Sequence, residues 1–101
     1  MEVWIIQKVG IAEDGRIDRV QWQQANVKRS QYFGPVKTSP AQEVLAELRG
    51  GGKVLAVLTV NNRILSNLKV VEVPHPKGGA DLEVENPANV PGATLKSLPR
   101  L

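Results

Sequence analysis

The sequence predicts an α+β fold: a small antiparallel sheet of two hairpins with one helix packed on it. Three observations lead there. Asp14-Gly15 separates two β-patterned runs, Asn61-Asn62 separates two more, and between the pairs lies a single short segment with helical spacing. Asp, Asn and Gly tolerate the positive φ that a two-residue hairpin turn requires. Parallel strands need repeated crossover helices, which two hairpins and one helix do not supply. The expected order is β-β-α-β-β, with one more short strand after it. A strongly curled, barrel-like sheet with the helix plugging one end is the alternative geometry.

In the first hairpin Val3–Ile11 and Ile17–Gln24 flank the turn, which sets Val9 opposite Val20 and Gln7 opposite Trp22. Period-two alternation then gives Val3, Ile5, Val9, Ile11, Val20 and Trp22 to the core face. Trp4, Ile6, Lys8, Arg19, Gln21 and Gln23 fall on the outer face, where the two apolar members stand out. Ala25–Lys37 has no sustained period and contains Gly34-Pro35, so it reads as a long loop with a short edge strand near Val27–Tyr32. The four aromatics, two Trp, one Tyr and one Phe, all precede the helix.

Ser39-Pro40-Ala41-Gln42 has the form of a capping box: Ser39 as cap, Pro40 first in the helix, Gln42 reaching back. Ala41, Val44, Leu45 and Leu48 make one apolar stripe, and Gly50 ends the helix. Val54–Val60 is a chargeless aliphatic run, expected to be buried on both faces as the central strand. Pairing around Asn61-Asn62 sets Val57 opposite Ser66 and Leu55 opposite Leu68, with a bulge expected at Val70-Val71. Asp81–Glu85 reads as a short edge strand whose alternating carboxylates guard against aggregation. Residues 1–85 form the expected domain, and 86–101 an irregular tail that lies over it or is disordered.

Composition excludes more than it specifies. The chain has 101 residues, enough for one domain with its own core, and a net charge of +3 from 13 basic and 10 acidic residues. No cysteine is present, which rules out disulfides, thiolate catalysis and cysteine zinc sites, and fits a cytoplasmic protein. No apolar run reaches a membrane span, and the first residues lack a signal-peptide pattern. Arg49-Gly50-Gly51-Gly52-Lys53-Val54 resembles a phosphate-binding loop only superficially, since Val follows the Lys and the loop runs from helix to strand. His75 is the single histidine; with no second ligand or serine motif beside it, it reads as a loop residue. No metal, cofactor or catalytic set emerges.

The succession DGRIDRVQW, SPAQEVLAELRGGGKVLAV and a closing LKSLPRL resembles a bacterial family of small domains of unknown function. In that family an Asp-Gly-x-Ile hairpin precedes a helix ending in Gly, a β-run and a Leu-Pro tail. The resemblance covers most of the chain, with a longer insertion at Gln23–Lys37. The family carries no known activity, so the resemblance implies no enzyme. The expected function is a non-enzymatic interaction module binding another macromolecule, with nucleic acid as the alternative partner through the basic and aromatic loop 28–37. The candidate binding surface is Trp4, Ile6, Lys8, Arg19, Lys28, Arg29, Tyr32, Phe33 and Lys37. Surplus apolar area on the sheet leads to an expected homodimer.

Overall fold

A computed structural model describes residues 2–26, 28–29, 31–85 and 89–101. Its elements are β1 (Glu2–Ile11), β2 (Ile17–Asn26), β3 (Gln31–Pro40), α1 (Ala41–Arg49), β4 (Val54–Val60), β5 (Arg63–Pro74) and β6 (Ala80–Val84). A 3-10 turn, Leu95–Ser97, follows in the tail. The strands form one curled sheet, a half-barrel, in the order β3-β2-β1-β4-β5-β6.

The α+β class holds, but the sheet is mixed rather than antiparallel. After the β1–β2 hairpin the chain adds β3 outside β2, then returns through α1 to lay β4 parallel to β1, pairing Trp4 with Val54 and Ile6 with Ala56. One helix therefore suffices for a crossover. The two hairpins meet through this parallel seam, which local turn chemistry does not encode.

Both turns form where the sequence placed them. Asn61 and Asn62 have φ of 50° and 64°, the pair of positive values that a type I′ turn requires. At the second turn the pairing follows expectation, with Leu58 opposite Leu65; at the first, Ile11 pairs with Ile17, and only past a bulge at Asp18 does Val9 lie opposite Val20 as expected. Farther out, a bulge in each hairpin reverses the faces. One at Gln7 sets Ile6, not Gln7, opposite Trp22. Trp4 and Ile6 thereby turn to the core side, Ile5 turns outward, and Ile6 is 1% exposed. The other bulge takes up Asn67, whose φ is 58°, and brings Leu68 and Val70 to the core side. Beyond it, Val70 through Pro74 pair regularly with β6, so no bulge occurs at Val70-Val71.

Val54, Ala56, Leu58 and Val60 are buried while Leu55, Val57 and Thr59 lie half-buried or exposed. The central strand is therefore covered on one face, not two. Its buried side faces a core that includes Ile6, Val9, Val20, Trp22, Val44, Leu82 and Leu95. The expected loop 25–37 is mostly strand: β3 pairs along β2 from Arg19–Pro40 to Asn26–Gln31, across an irregularity at Gly34–Val36. Its side chains are nearly all exposed, so an edge strand washed on both faces left no hydrophobic period to read. Val27 and Ser30 of that segment lie outside the described residues.

Ser39 does not cap the helix. The cap position is Pro40, with no side-chain hydrogen bond, because the Ser39 hydroxyl faces inward and accepts the Trp22 indole N–H at 2.9 Å. A buried indole nitrogen must find an acceptor, and a helix end can use water instead.

The tail packs on the domain from Asn89 onward; residues 86–88 lie outside the described residues. Leu95 is fully buried and Leu98 nearly so. Where β4 has left β1, the tail takes its place: Val9 N–H donates to the Pro99 carbonyl and Leu101 N–H to the Val9 carbonyl, both at 3.0 Å. The carboxylates of β6 hold the tail from the other side. Glu83 accepts from the Thr94 hydroxyl and the Leu95 N–H, and Asp81 pairs with Lys96 at 2.9 Å. These acids are tail anchors and not the edge guards that the sequence suggested. Much of the apolar area that prompted a homodimer is thus covered by the bulge at Gln7 and by the chain's own tail.

Two outcomes follow. Leu95→Ala should cost about 2–5 kcal/mol, as for other fully buried leucines, and lower the melting temperature by roughly 10–20 °C for a domain of this size. A change of under about 4 °C would show that the tail is no part of the core. Ser39→Ala should cost about 1–3 kcal/mol by stranding a buried donor. The Trp22 indole proton resonance should then move strongly while the amides of the first helical turn stay in place; the opposite pattern would restore the capping role.

Candidate functional site

A twisted sheet is a saddle, concave along one diagonal on each face. Here one concavity holds α1 and the tail, and the other is open to solvent. On the open face β1 and β2 contribute Val3, Ile5, Gln7, Lys8, Arg19, Gln21, Gln23 and Ala25, placed there by the bulge at Gln7 and the register of the hairpin. β4 and β5 add Leu55, Val57, Ile64 and Ser66.

Three glutamines form a hydrogen-bonded ladder over this surface. Gln21 donates to the Gln7 side-chain oxygen at 3.0 Å, Gln7 to that of Gln23 at 3.2 Å, and Gln23 to the Gly34 carbonyl at 2.9 Å. Each amide spends part of its capacity on the next, which fixes the side chains and leaves donors and acceptors over for a ligand. Sequence reading placed Gln21 and Gln23 on this face but gave them no role, because glutamine belongs to no catalytic or ligand motif. The alternation of Gln21 and Gln23 against a glutamine on the paired strand was the available signal.

Beside the ladder runs an elongated depression of about 260 Å³ that crosses β3, β2, β1, β4 and β5. Its lining comprises Gln31, Tyr32, Ala25, Asn26, Ile5, Val57, Ser66 and Asn67. The floor is apolar and the rim carries amides. Tyr32 is 51% exposed and Val57 37%, with Ile64 beyond at 71%.

The residues singled out from the sequence divide between the two faces. Lys8, Arg19 and Tyr32 belong to the open face, and Lys28 and Arg29 are exposed in the β2–β3 turn next to it. Ile6 is in the core and leaves the candidate surface. Trp4 stacks on Trp22 with ring centroids 4.3 Å apart, and Lys37 lies over the Trp4 ring at 5.7 Å. Phe33 pairs opposite Gln24 on that same side. The basic and aromatic segment 28–37 is therefore a strand whose alternation splits it, with Tyr32 toward the open face and Phe33 and Lys37 away from it.

A second cavity of about 400 Å³ lies between the start of α1, the start of β2 and β6, lined among others by Arg16, Gln42, Leu45, Arg49 and Asp81. Its charged groups are engaged elsewhere. Arg49 grips Glu72 through two hydrogen bonds of 3.0 and 2.8 Å, and Arg16 donates to the Gly78 carbonyl at 2.7 Å. His75 sits nearby in the β5–β6 turn, its Nδ1 accepting the Lys77 N–H at 3.1 Å. Hydrogen bonds from Arg49 hold the Glu72 carboxyl below its usual range.

Comparison with family models, with curated proteins and with solved structures finds no match to this chain. The resemblance noted from the turn and cap motifs therefore has no support beyond those motifs.

Asp81 is the most confined carboxylate described, 5% exposed. Burial by itself would raise its pKa, but hydrogen bonds from Lys96 and from the Ile17 and Leu82 N–H groups outweigh that and hold it below 3.8. A depressed pKa gives stability that is complete above the unfolded value and fades as pH falls through the folded one. Wild type should therefore lose an increment of stability as pH falls below about 4 that Asp81→Asn lacks. At neutral pH the variant should be less stable by about 2–3 kcal/mol, since Lys96 loses its partner but is itself a third exposed. Urea unfolding across that pH range checks both; parallel acid limbs would refute the assignment.

Proposed function

We propose that this chain is a small non-enzymatic interaction module that binds another macromolecule through the open face of its sheet. The observation that carries the reading is the asymmetry of cover. One face is closed by helix and tail, while the other keeps a groove across five strands with Tyr32 and Val57 exposed in its lining and Ile64 exposed beyond it. Grouped exposed apolar side chains within a polar rim are a usual mark of an interface. The carboxylates that acid–base chemistry would use serve structure instead: Asp81 and Glu83 hold the tail, and Glu72 holds Arg49. Among the described residues no helix is long and apolar enough to cross a membrane.

The reading is tested with a photo-reactive benzoylphenylalanine placed at Val57 or Ile64, and at Glu43 on the helix as control. Irradiation in cells should give discrete adducts from the two sheet positions and none from the helix. An adduct of twice the chain's mass would identify the partner as a second copy, the homodimer that the sequence suggested. No adduct from either sheet position would overturn the reading, as would turnover of any substrate that depends on His75, Asp81 or Glu83.

A further inference from the structure

We propose that the macromolecule bound on the open face is a single-stranded nucleic acid, with a base stacked on Tyr32 and its phosphates toward Lys28, Arg29 and Lys8. This rests on the reading of the open face as the binding surface and names its occupant.

The shape of the groove comes first. It is elongated, it has an apolar floor at Ile5, Ala25 and Val57, and an exposed aromatic ring stands at one end. An unpaired base offers two flat apolar faces and a polar edge. The floor and the Tyr32 ring suit the faces, and the surrounding amides suit the edge. In a duplex the base faces are stacked away and cannot reach a tyrosine.

Charge makes the second argument. Lys8 on β1, and Lys28 with Arg29 in the turn that continues from Asn26, are exposed cations on or beside the open face. None of the three belongs to an ion pair between described residues. The described carboxylates lie off the groove. Asp14 is held by Arg16, Glu72 by Arg49, Asp81 by Lys96 and Glu83 by the tail. Glu13, Glu43 and Glu47 sit on the β1–β2 turn and the helix, and Glu85 follows β6 beyond β5. Asp18 comes closest, at the far end of β2, where it lies 3.7 Å from Arg19. Lys8, Lys28 and Arg29 are thus free to meet a phosphate chain, in a protein whose net charge is +3.

The sheet edge argues against the main rival, an extended peptide. Peptides that bind sheets add as a further strand at an open edge. On β3 the pairing line is interrupted at Gly34–Val36, and Pro35 has no N–H to offer. What is open on this molecule is a face, and stacking on a face is how strands of bases bind.

The test is fluorescence anisotropy of the full chain with labelled oligo-dT and oligo-U of about 15 nucleotides, titrated with salt. Binding should weaken steeply as salt rises. Lys28→Ala with Arg29→Ala should reduce the slope of log K against log salt by about 1.4, since each phosphate contact contributes about 0.7 on a single strand. Tyr32→Ala should weaken binding roughly 5- to 100-fold with the slope unchanged, as loss of a stacked base does. All three side chains are exposed, so circular dichroism should report an unchanged fold. No binding of either oligomer at low salt overturns the proposal. So does Tyr32→Ala without effect, or equal binding of polyglutamate, either of which reduces the surface to a general cation patch. Protein adducts from Val57 together with failure of both oligomers would remove this inference and leave the interaction-module reading standing; failure of both experiments would remove both.

Discussion

The Asp81 carboxylate sits where three separate stretches of the chain meet, and the closure of the half-barrel depends on it. It accepts the N–H of Ile17, the first residue of β2, at 3.0 Å, the N–H of Leu82 at 2.8 Å, and the Lys96 ammonium at 2.9 Å. A nearly inaccessible carboxylate is tolerable only if its charge is paired and its lone pairs are filled. Filling them requires β6 to curl until it reaches the start of β2, and requires the tail to pass alongside. Glu83, two residues on, binds the tail again through Thr94 and Leu95. With both clamps closed, Leu95 enters the core and the tail continues to β1, where Val9 pairs with Arg100. The β6 side of the sheet is covered, which leaves β3 as its open edge.

What was legible in the sequence was local. The Asn61-Asn62 turn, the place of the Asp14-Gly15 turn, the helix stop at Gly50 and the short strand beginning near Asp81 are each set by a few adjacent residues, and each occurs where it was read; the first turn closes three residues rather than two, with only Gly15 at positive φ. The single-residue bulges at Gln7 and Asn67, like a smaller one at Asp18 beside the first turn, were not legible, because a bulge is chosen by the packing of both partner strands. The first two matter most. Each one exchanged the inner and outer sets of half a hairpin, which is how Trp4 and Ile6 came to be assigned to water. Ser39 illustrates the same competition within one side chain. Its local setting suits a helix cap, and the buried Trp22 indole outbids that use. The parallel β1–β4 seam has no local signal at all, since both strands read equally well as hairpin members.

The site was legible to a similar depth. Lys8 and Arg19 were placed on the outer face by alternation and Tyr32 in a basic and aromatic loop, and all three are exposed. Phe33 and Lys37 were grouped with Tyr32 by adjacency in the chain, whereas β3 is extended and adjacent side chains point to opposite faces. The groove itself draws on five strands, so no window of sequence contains it.

An open sheet face carrying Val57, Ile64 and Tyr32 would ordinarily invite association of one copy with another, and two features of this face oppose that. The glutamine ladder joins β2, β1 and β3 through side chains, so its amides are held in one arrangement, and an apolar face of a second copy laid over them would leave their remaining donors and acceptors without partners. The adjoining edge is broken at Gly34–Val36, which denies a second sheet a continuous row of backbone groups to extend. Apolar contact remains available in the groove, but only to something narrow enough to lie along it and polar enough to satisfy the rim. On the proposed reading, partners would be discriminated by the cost of replacing water on these amides as well as by direct contacts. Binding strength, on that reading, would follow how well a partner matches amides already in position, because little ordering of these side chains is left to do.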